Sequence, residues 1–202
     1  MPYNEFTLES VENELGVMIH SGNLFADLSP IPVPAWLQDL LIRGMQLALI
    51  SEKARSEFIV APILLACREL SGNTLAILSG QRLDVDPERK LQGECDFIMA
   101  LSEPLPRLRA PLMTIVEAKR NDIESGLGQC IAQMVGAQLY NERAGQTLDA
   151  IYGCVTTGED WQFLQLRETT VIIARQRLYI DNVGRILAVF QTIFEQSRPM
   201  PT

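Results

Sequence analysis

Asp96, Glu117 and Lys119 are the residues whose types and spacing could do chemistry together. Glu117-Ala118-Lys119 closes an apolar run (PLMTIVEAK) that reads as a strand over Leu112–Lys119. Residues two apart in a strand share a face, so Glu117 and Lys119 point the same way while Ala118 packs on the other side. In that pairing the carboxylate can hold a metal and the lysine can position or deprotonate a water. Asp96 lies on the preceding strand, within Gly93-Glu94-Cys95-Asp96. If the two strands are neighbours, Asp96 faces Glu117 and completes an oxygen-rich cup. Mg²⁺ suits such a cup, because it takes one or two carboxylates, keeps several waters and accepts a phosphate oxygen; Mn²⁺ is the natural substitute. A bound ion acidifies water and steadies negative charge building on phosphorus, and Lys119 would orient the nucleophile. The expected chemistry is metal-dependent hydrolysis of a phosphodiester.

The elements that must position these residues can be read in order. Thr7–Val17 is a short helix starting at Thr7 or Ser10, and residues 21–34, rich in Ser, Gly and Pro, form a loop. Ala35–Leu70 is mostly helical, with Trp36, Leu37, Leu40, Leu41, Met45 and Leu47–Ile50 near a 3.6-residue period. Pro62 should interrupt or restart that helix, having no N–H for the preceding turn. After the turn Ser71-Gly72-Asn73 come strands at Thr74–Asp86, irregular at Gly80, and at Gly93–Leu101, joined by a polar turn at Pro87–Lys90. A loop with Pro104, Pro106 and Pro111 leads to the Glu-Ala-Lys strand, then a helix over Asn121–Asn141. Strands follow at Ala150–Thr156, Trp161–Leu166 and Thr170–Ile180, and Asp181-Asn182 can cap a last amphipathic helix, Val183–Gln196. The pattern is α/β with a mixed central sheet flanked by helices.

Gly93-x-x-Asp96 on one strand and Glu117-x-Lys119 on the next resembles the PD-(D/E)xK nuclease superfamily, with Glu-Cys-Asp in place of the proline-aspartate half, as in its RecB-like branches. The resemblance implies a restriction-endonuclease-like core, α-β-β-β-α-β, over about residues 51–166. It also implies an acidic residue from the first helix, for which Glu52 and Glu57 both stand as candidates. Five residues apart, they lie on different helix faces, so only one is expected to join the metal. The helix after Lys119 often carries Gln-x-x-x-Tyr in that superfamily; here it carries Gln129 and, four residues on, Gln133 on the same face. Gln129 would steady Lys119 or a phosphate. Gly126, Gly128 and Gly136 each cost that helix about 1 kcal/mol relative to Ala, which close packing on the sheet would offset.

Composition sets the bounds. The 202 residues suit one domain: an N-terminal helical extension (1–50), the core, and a C-terminal strand and helix (167–202). No apolar run approaches the ~20 residues that cross a bilayer, and the N-terminus lacks a signal-peptide pattern. A cytoplasmic protein with no membrane partner is expected. Cys67, Cys95, Cys130 and Cys154 are scattered singly and read as reduced core thiols. His20 is the only histidine, which leaves Ser-His-Asp and zinc-protease chemistry without support. A net charge of −8 weighs against coating nucleic acid, although a carboxylate site is partly neutralised by its own metal. Arg82, Arg89, Lys90, Arg107, Arg109 and Arg120 are possible phosphate contacts, with solvated surface charge the default for all but Arg120. Trp161 and Phe163 could stack bases, yet alternate as core residues do.

Two readings follow. The first is a Mg²⁺-dependent nuclease acting on nucleic acid, DNA foremost. The second is a non-catalytic binding or assembly module of the same fold. The apolar stripe Ile186, Leu187, Val189, Phe190, Ile193 and Phe194 could close the core or pair two copies as a homodimer through the C-terminal helix.

Overall fold

Strand β4, Leu112–Ala118, is buried along its whole length, and most of the molecule serves to cover it. The computed structural model describes residues 2–48, 51–105 and 107–198. Among these, eight strands form one mixed sheet: β1 (Met18–Gly22), β2 (Ala76–Arg82), β3 (Glu94–Ala100), β4, β5 (Ile151–Thr156), β6 (Asp160–Arg167), β7 (Thr170–Ala174) and β8 (Leu178–Tyr179). Their spatial order is β1-β7-β6-β5-β4-β3-β2, with β8 beside β6. β4 runs antiparallel to β3 and parallel to β5. A parallel step needs a crossover that a hairpin cannot supply; helix α5, Glu124–Arg143, makes it.

Helices cover both faces. On one lie α1 (Leu8–Leu15) and α5, packed around Ile98, Ile115 and Ile131. On the other lie α2 (Ala35–Ala48), α4 (Ala61–Leu70) and α6 (Val183–Ser197), packed around Phe97, Val116, Phe163 and Phe190. The chain is thus α/β with a mixed sheet. None of the helices among the described residues is long and apolar enough to cross a membrane.

Local chemistry explains most boundaries. Thr7 and Ser10 exchange hydrogen bonds at the start of α1, the Thr7 hydroxyl accepting from the Ser10 N–H at 3.2 Å and the Ser10 hydroxyl from the Thr7 N–H at 2.8 Å. Gly16 ends that helix in the left-handed region, φ 71°. The helix restarts at Pro62, as expected, which stands in the first turn of α4. The short α3 (Glu52–Arg55) runs through a π turn, Ser56–Val60, into α4, and the Ala61 N–H donates to the Ser56 carbonyl. The Phe58 carbonyl, deprived of Pro62 as a donor, faces Gly44 of α2 instead, where an added Cβ would lie 2.5 Å from it.

Several expectations are corrected. Residues 18–22 are not helix or loop but strand β1, parallel to β7, so the N-terminal extension is part of the main sheet. The stretch read as one strand over Thr170–Ile180 is two, β7 and β8, interrupted at residues 175–177. Asn182 occupies the cap position of α6 without a side-chain hydrogen bond. The stripe of α6 closes the core of its own chain, all six side chains being buried, and is therefore already occupied. Leu49 and Ile50, at the end of the expected helical run, and the loop residue Pro106 fall outside the described residues. The four cysteines are free and buried, as expected.

Candidate active site

The β3–β4 ladder runs Phe97 to Val116, Ile98 to Ile115 and Met99 to Thr114. One step further, Asp96 would stand opposite Glu117, but the main-chain ladder stops there. The Asp96 side chain replaces it: Oδ2 accepts the Ala118 N–H at 2.7 Å. On the other side of β3, the β2 ladder pairs Ser79 with Phe97 and Gln81 with Cys95, skipping Gly80, whose φ is +62°. β3 is therefore released from both neighbours at Asp96, and the carboxylate turns toward the Glu-Ala-Lys strand end. An aspartate accepting a backbone N–H keeps a fixed rotamer with its second oxygen free to accept more.

Glu117 and Lys119 share the α5 face of β4. Lys119 Nζ donates to Glu117 Oε1 at 2.8 Å and to Gln129 Oε1 at 3.0 Å. Gln133, four residues along α5 and fully buried, donates from Nε2 to Glu117 Oε2 at 3.1 Å. The two glutamines thus hold the two ends of the ion pair, and neither is a surface residue. Helix α5 can come so near because of Gly126: a Cβ there would sit 2.7 Å from Val155 Cγ1 and 3.0 Å from Lys119 Cε. The expected close packing of the helix glycines on the sheet holds for Gly126. Gly128 and Gly136 instead make room for the N-terminal segment, at Phe6–Thr7 and at Tyr3. The strand end itself is pinned by the Lys119 N–H, which donates to the Thr156 carbonyl at 2.8 Å.

Glu52, at the start of α3, lines one inner cavity of about 160 Å³ with Glu94, Asp96, Glu117, Lys119 and Gln129. Arg55, one turn on, ties this helix to the sheet by donating to the Thr157 carbonyl at 2.8 Å. Glu57 is not in that cavity. It pairs with Lys53 at 3.1 Å and lines, together with Glu52, a wider neighbouring cleft that also reaches Asp96. Of the two acidic candidates the structure brings Glu52 to the site.

Burial, then the neighbouring Asp96 charge, raise the Glu117 carboxyl to about 7, although Lys119 pulls the other way. Asp96 is also raised, by burial above all, with the Ala118 N–H and Lys119 opposing. Burial would lower the Lys119 ammonium, but Glu117, Glu52 and Asp96 outweigh it and hold it above its ordinary value. Two adjoining carboxyls that resist ionising together favour a proton or a cation between them. No group of three His, Cys, Asp or Glu side chains among the described residues is close enough to hold a metal ion. The Asp96–Glu117 carboxylate pair, with Glu52 and Glu94 on the cavity wall, is too small a donor set for a fully protein-ligated metal; only an ion that keeps most of its waters, as Mg²⁺ does, would suit it.

Glu94 and Gln133 join the site without having been singled out as its residues from the sequence. Glu94 sits two before Asp96, and Gln133 was readable only as sharing a face with Gln129. Trp161 and Phe163 are core residues, each with its ring edge-on to Phe190. Arg82 and Lys90 are paired with Asp84 and Glu14, whereas Arg120 is exposed beside the site strand. No family model matches the chain, and no curated protein matches it significantly.

Proposed function

We propose that the protein is a Mg²⁺-dependent nuclease, with Mn²⁺ able to substitute, hydrolysing phosphodiester bonds in nucleic acid and DNA foremost, on a restriction-endonuclease-like core of the PD-(D/E)xK kind. The observation that carries this reading is the departure of Asp96 from its ladder to bond Ala118 N–H, between Glu117 and Lys119. A strand residue set only to stabilise the sheet would keep its rung. The element order supports the same reading: α3–α4, the β2-β3-β4 meander, the α5 crossover and β5 follow the α-β-β-β-α-β sequence.

The divisions of labour follow from the contacts. Asp96 and Glu117 would hold the ion, with Glu52 reaching it directly or through water. When bound, the ion supplies Lewis acidity and a nucleophilic water near neutral pH. Lys119, charged and held by Glu117 and Gln129, has one further N–H to offer a water or a phosphate oxygen. Gln133 fixes the Glu117 carboxylate plane, so the site is pre-organised before substrate arrives. Labelled single- and double-stranded DNA and RNA, incubated with and without Mn²⁺, test the proposal; metal-dependent cleavage is expected, and none on any of the four substrates would remove it.

A second reading, a non-catalytic binding or assembly module, is favoured by the lack of a three-ligand metal group among the described residues and by the closed Lys119–Glu117 ion pair. Calorimetric titration with Mn²⁺ separates the two, because a module of that kind has no reason to take up the ion at Asp96 and Glu117.

A further inference from the structure

The cleft beside the inner cavity has a volume of about 710 Å³, within the range of ligand sites. It shares Glu52, Glu94 and Asp96 with that cavity and adds Glu57. The basic residues of its lining are already committed. Lys53 pairs with Glu57 at 3.1 Å, and Arg68 donates to the Leu75 carbonyl and to Asn73 Oδ1. Neither Glu52 nor Glu94 has an ion-pair partner among the described residues. The metal-free cleft therefore carries unbalanced negative charge, and the group it favours is a cation.

Its other walls are apolar. Leu40 of α2, Pro62 and Leu65 of α4, Ile77 of β2 and Phe97 of β3 form them, and Leu40 and Leu65 are more than a third exposed. The apolar surface continues past the rim: Leu47, two turns on from Leu40 along the same side of α2, is about half exposed. Apolar side chains gathered on a surface in this way mark a place of interaction. A small molecule seated in the cleft would leave Leu47 bare, whereas a polypeptide segment running on along α2 would cover it.

We infer that the cleft docks a cationic, amphipathic polypeptide segment of a partner protein, its apolar side chains on Leu40, Leu47 and Leu65 and a Lys or Arg between Glu52 and Glu94, beside Asp96. Apolar contact supplies the buried area, while the opposed charges fix the register and reject acidic partners. The segment's cation and a metal ion call on the same carboxylates, so each weakens the binding of the other by the same factor. The docking stands on the cleft alone. Its competition with metal rests on the nuclease reading, and makes the segment an inhibitor of cleavage.

Fluorescence anisotropy of the metal-free full chain with three labelled peptides of equal length tests the docking. One is an amphipathic helix of Leu and Lys, one has the same pattern in Leu and Glu, and one replaces the Leu residues of the first by Ser. The Leu/Lys peptide should bind at least about tenfold tighter than either of the others. A Ser/Lys peptide that binds as tightly overturns the cleft assignment, because attraction to a chain of net charge −8 would then suffice. Failure of the Leu/Lys peptide to bind overturns it too. Leu65→Ser and Glu94→Gln, both at exposed positions, should each weaken the Leu/Lys peptide about tenfold; an unchanged affinity in either variant removes the assignment. Mn²⁺ added at constant ionic strength should then release the peptide. A peptide that passes the first comparisons but stays bound at high Mn²⁺ leaves the docking in place and counts against an ion at Asp96 and Glu117, so the two readings fail separately.

Discussion

Asp96 Oδ2 accepts the Ala118 N–H and, on the proposed reading, the carboxylate charge also holds the ion; a substitution can separate the two. Asn at this position can still accept the Ala118 N–H through its amide oxygen, so Asp96→Asn should keep the fold and its melting temperature. Its metal-dependent cleavage should nevertheless fall by about 10²-fold or more, since the charge proposed to hold the ion is gone. Lys119→Ala should likewise abolish cleavage without unfolding the chain; a standard turnover assay beside circular dichroism checks both. The raised Glu117 carboxyl gives a sign to the pH dependence. Its folded value, about 7, lies above its unfolded one, so the metal-free protein gains stability from it at low pH and loses that gain as pH rises from about 4.5 through 7. Urea unfolding of the metal-free chain should therefore show stability falling across this window by a few kcal/mol, and Glu117→Gln should flatten the fall. Metal affinity should move the opposite way, rising with pH up to about 7 as the competing proton leaves. At this scale the sequence was informative where residue type and period coincide: Glu117, Lys119 and Gln129 meet because β4 has period two and α5 returns over it. It was silent on Glu94, because nothing in one sequence shows that β3 leaves its ladder beside that residue.

Between elements, the site depends on how near α5 comes to β4. Gly126→Ala would gain about 1 kcal/mol of helix propensity, but its methyl would meet Val155 and the Lys119 stem. Overpacking of that kind costs about 1–3 kcal/mol. The expected result is a modestly less stable protein whose cleavage rate drops further than its stability, measured by thermal melts beside turnover. The elements also show where sequence signals fade. β1, Met-Ile-His-Ser-Gly, is largely exposed, without the apolar alternation of a half-buried strand, and pairs with a strand some 150 residues away. Only tertiary pairing makes it a strand. β7 and β8 read as one because Arg175-Gln176-Arg177 carries no glycine or proline; at the break Arg177 bonds Gln162 at 2.9 Å and Glu124 at 3.3 Å. Pro62 was legible as the place where the helix restarts; the π turn before it, and the close approach of Gly44 to the Phe58 carbonyl, were not.

For the molecule as a whole, a net charge of −8 limits how binding responds to salt. A nuclease that gripped a long phosphate row would lose orders of magnitude in affinity between low and physiological salt. With few free cations at the centre, the slope of log affinity against log salt for single-stranded DNA should correspond to about three phosphates or fewer; fluorescence anisotropy at several NaCl concentrations, using the cleavage-deficient Asp96→Asn, measures it. The two-faced sheet and its helices were readable from the alternation of apolar runs, and the joining of the N-terminal strand to the far edge was not. The other edge carries a consequence of its own. β2 closes the sheet on the side of the site, and a straight, open edge strand is a template on which further copies can stack by backbone pairing. Gly80, in the left-handed region, bends that edge, and the Arg82–Asp84 pair charges it. The bend that frees Asp96 thereby guards the protein against stacking into aggregates, and straightening it would expose the chain to both losses at once.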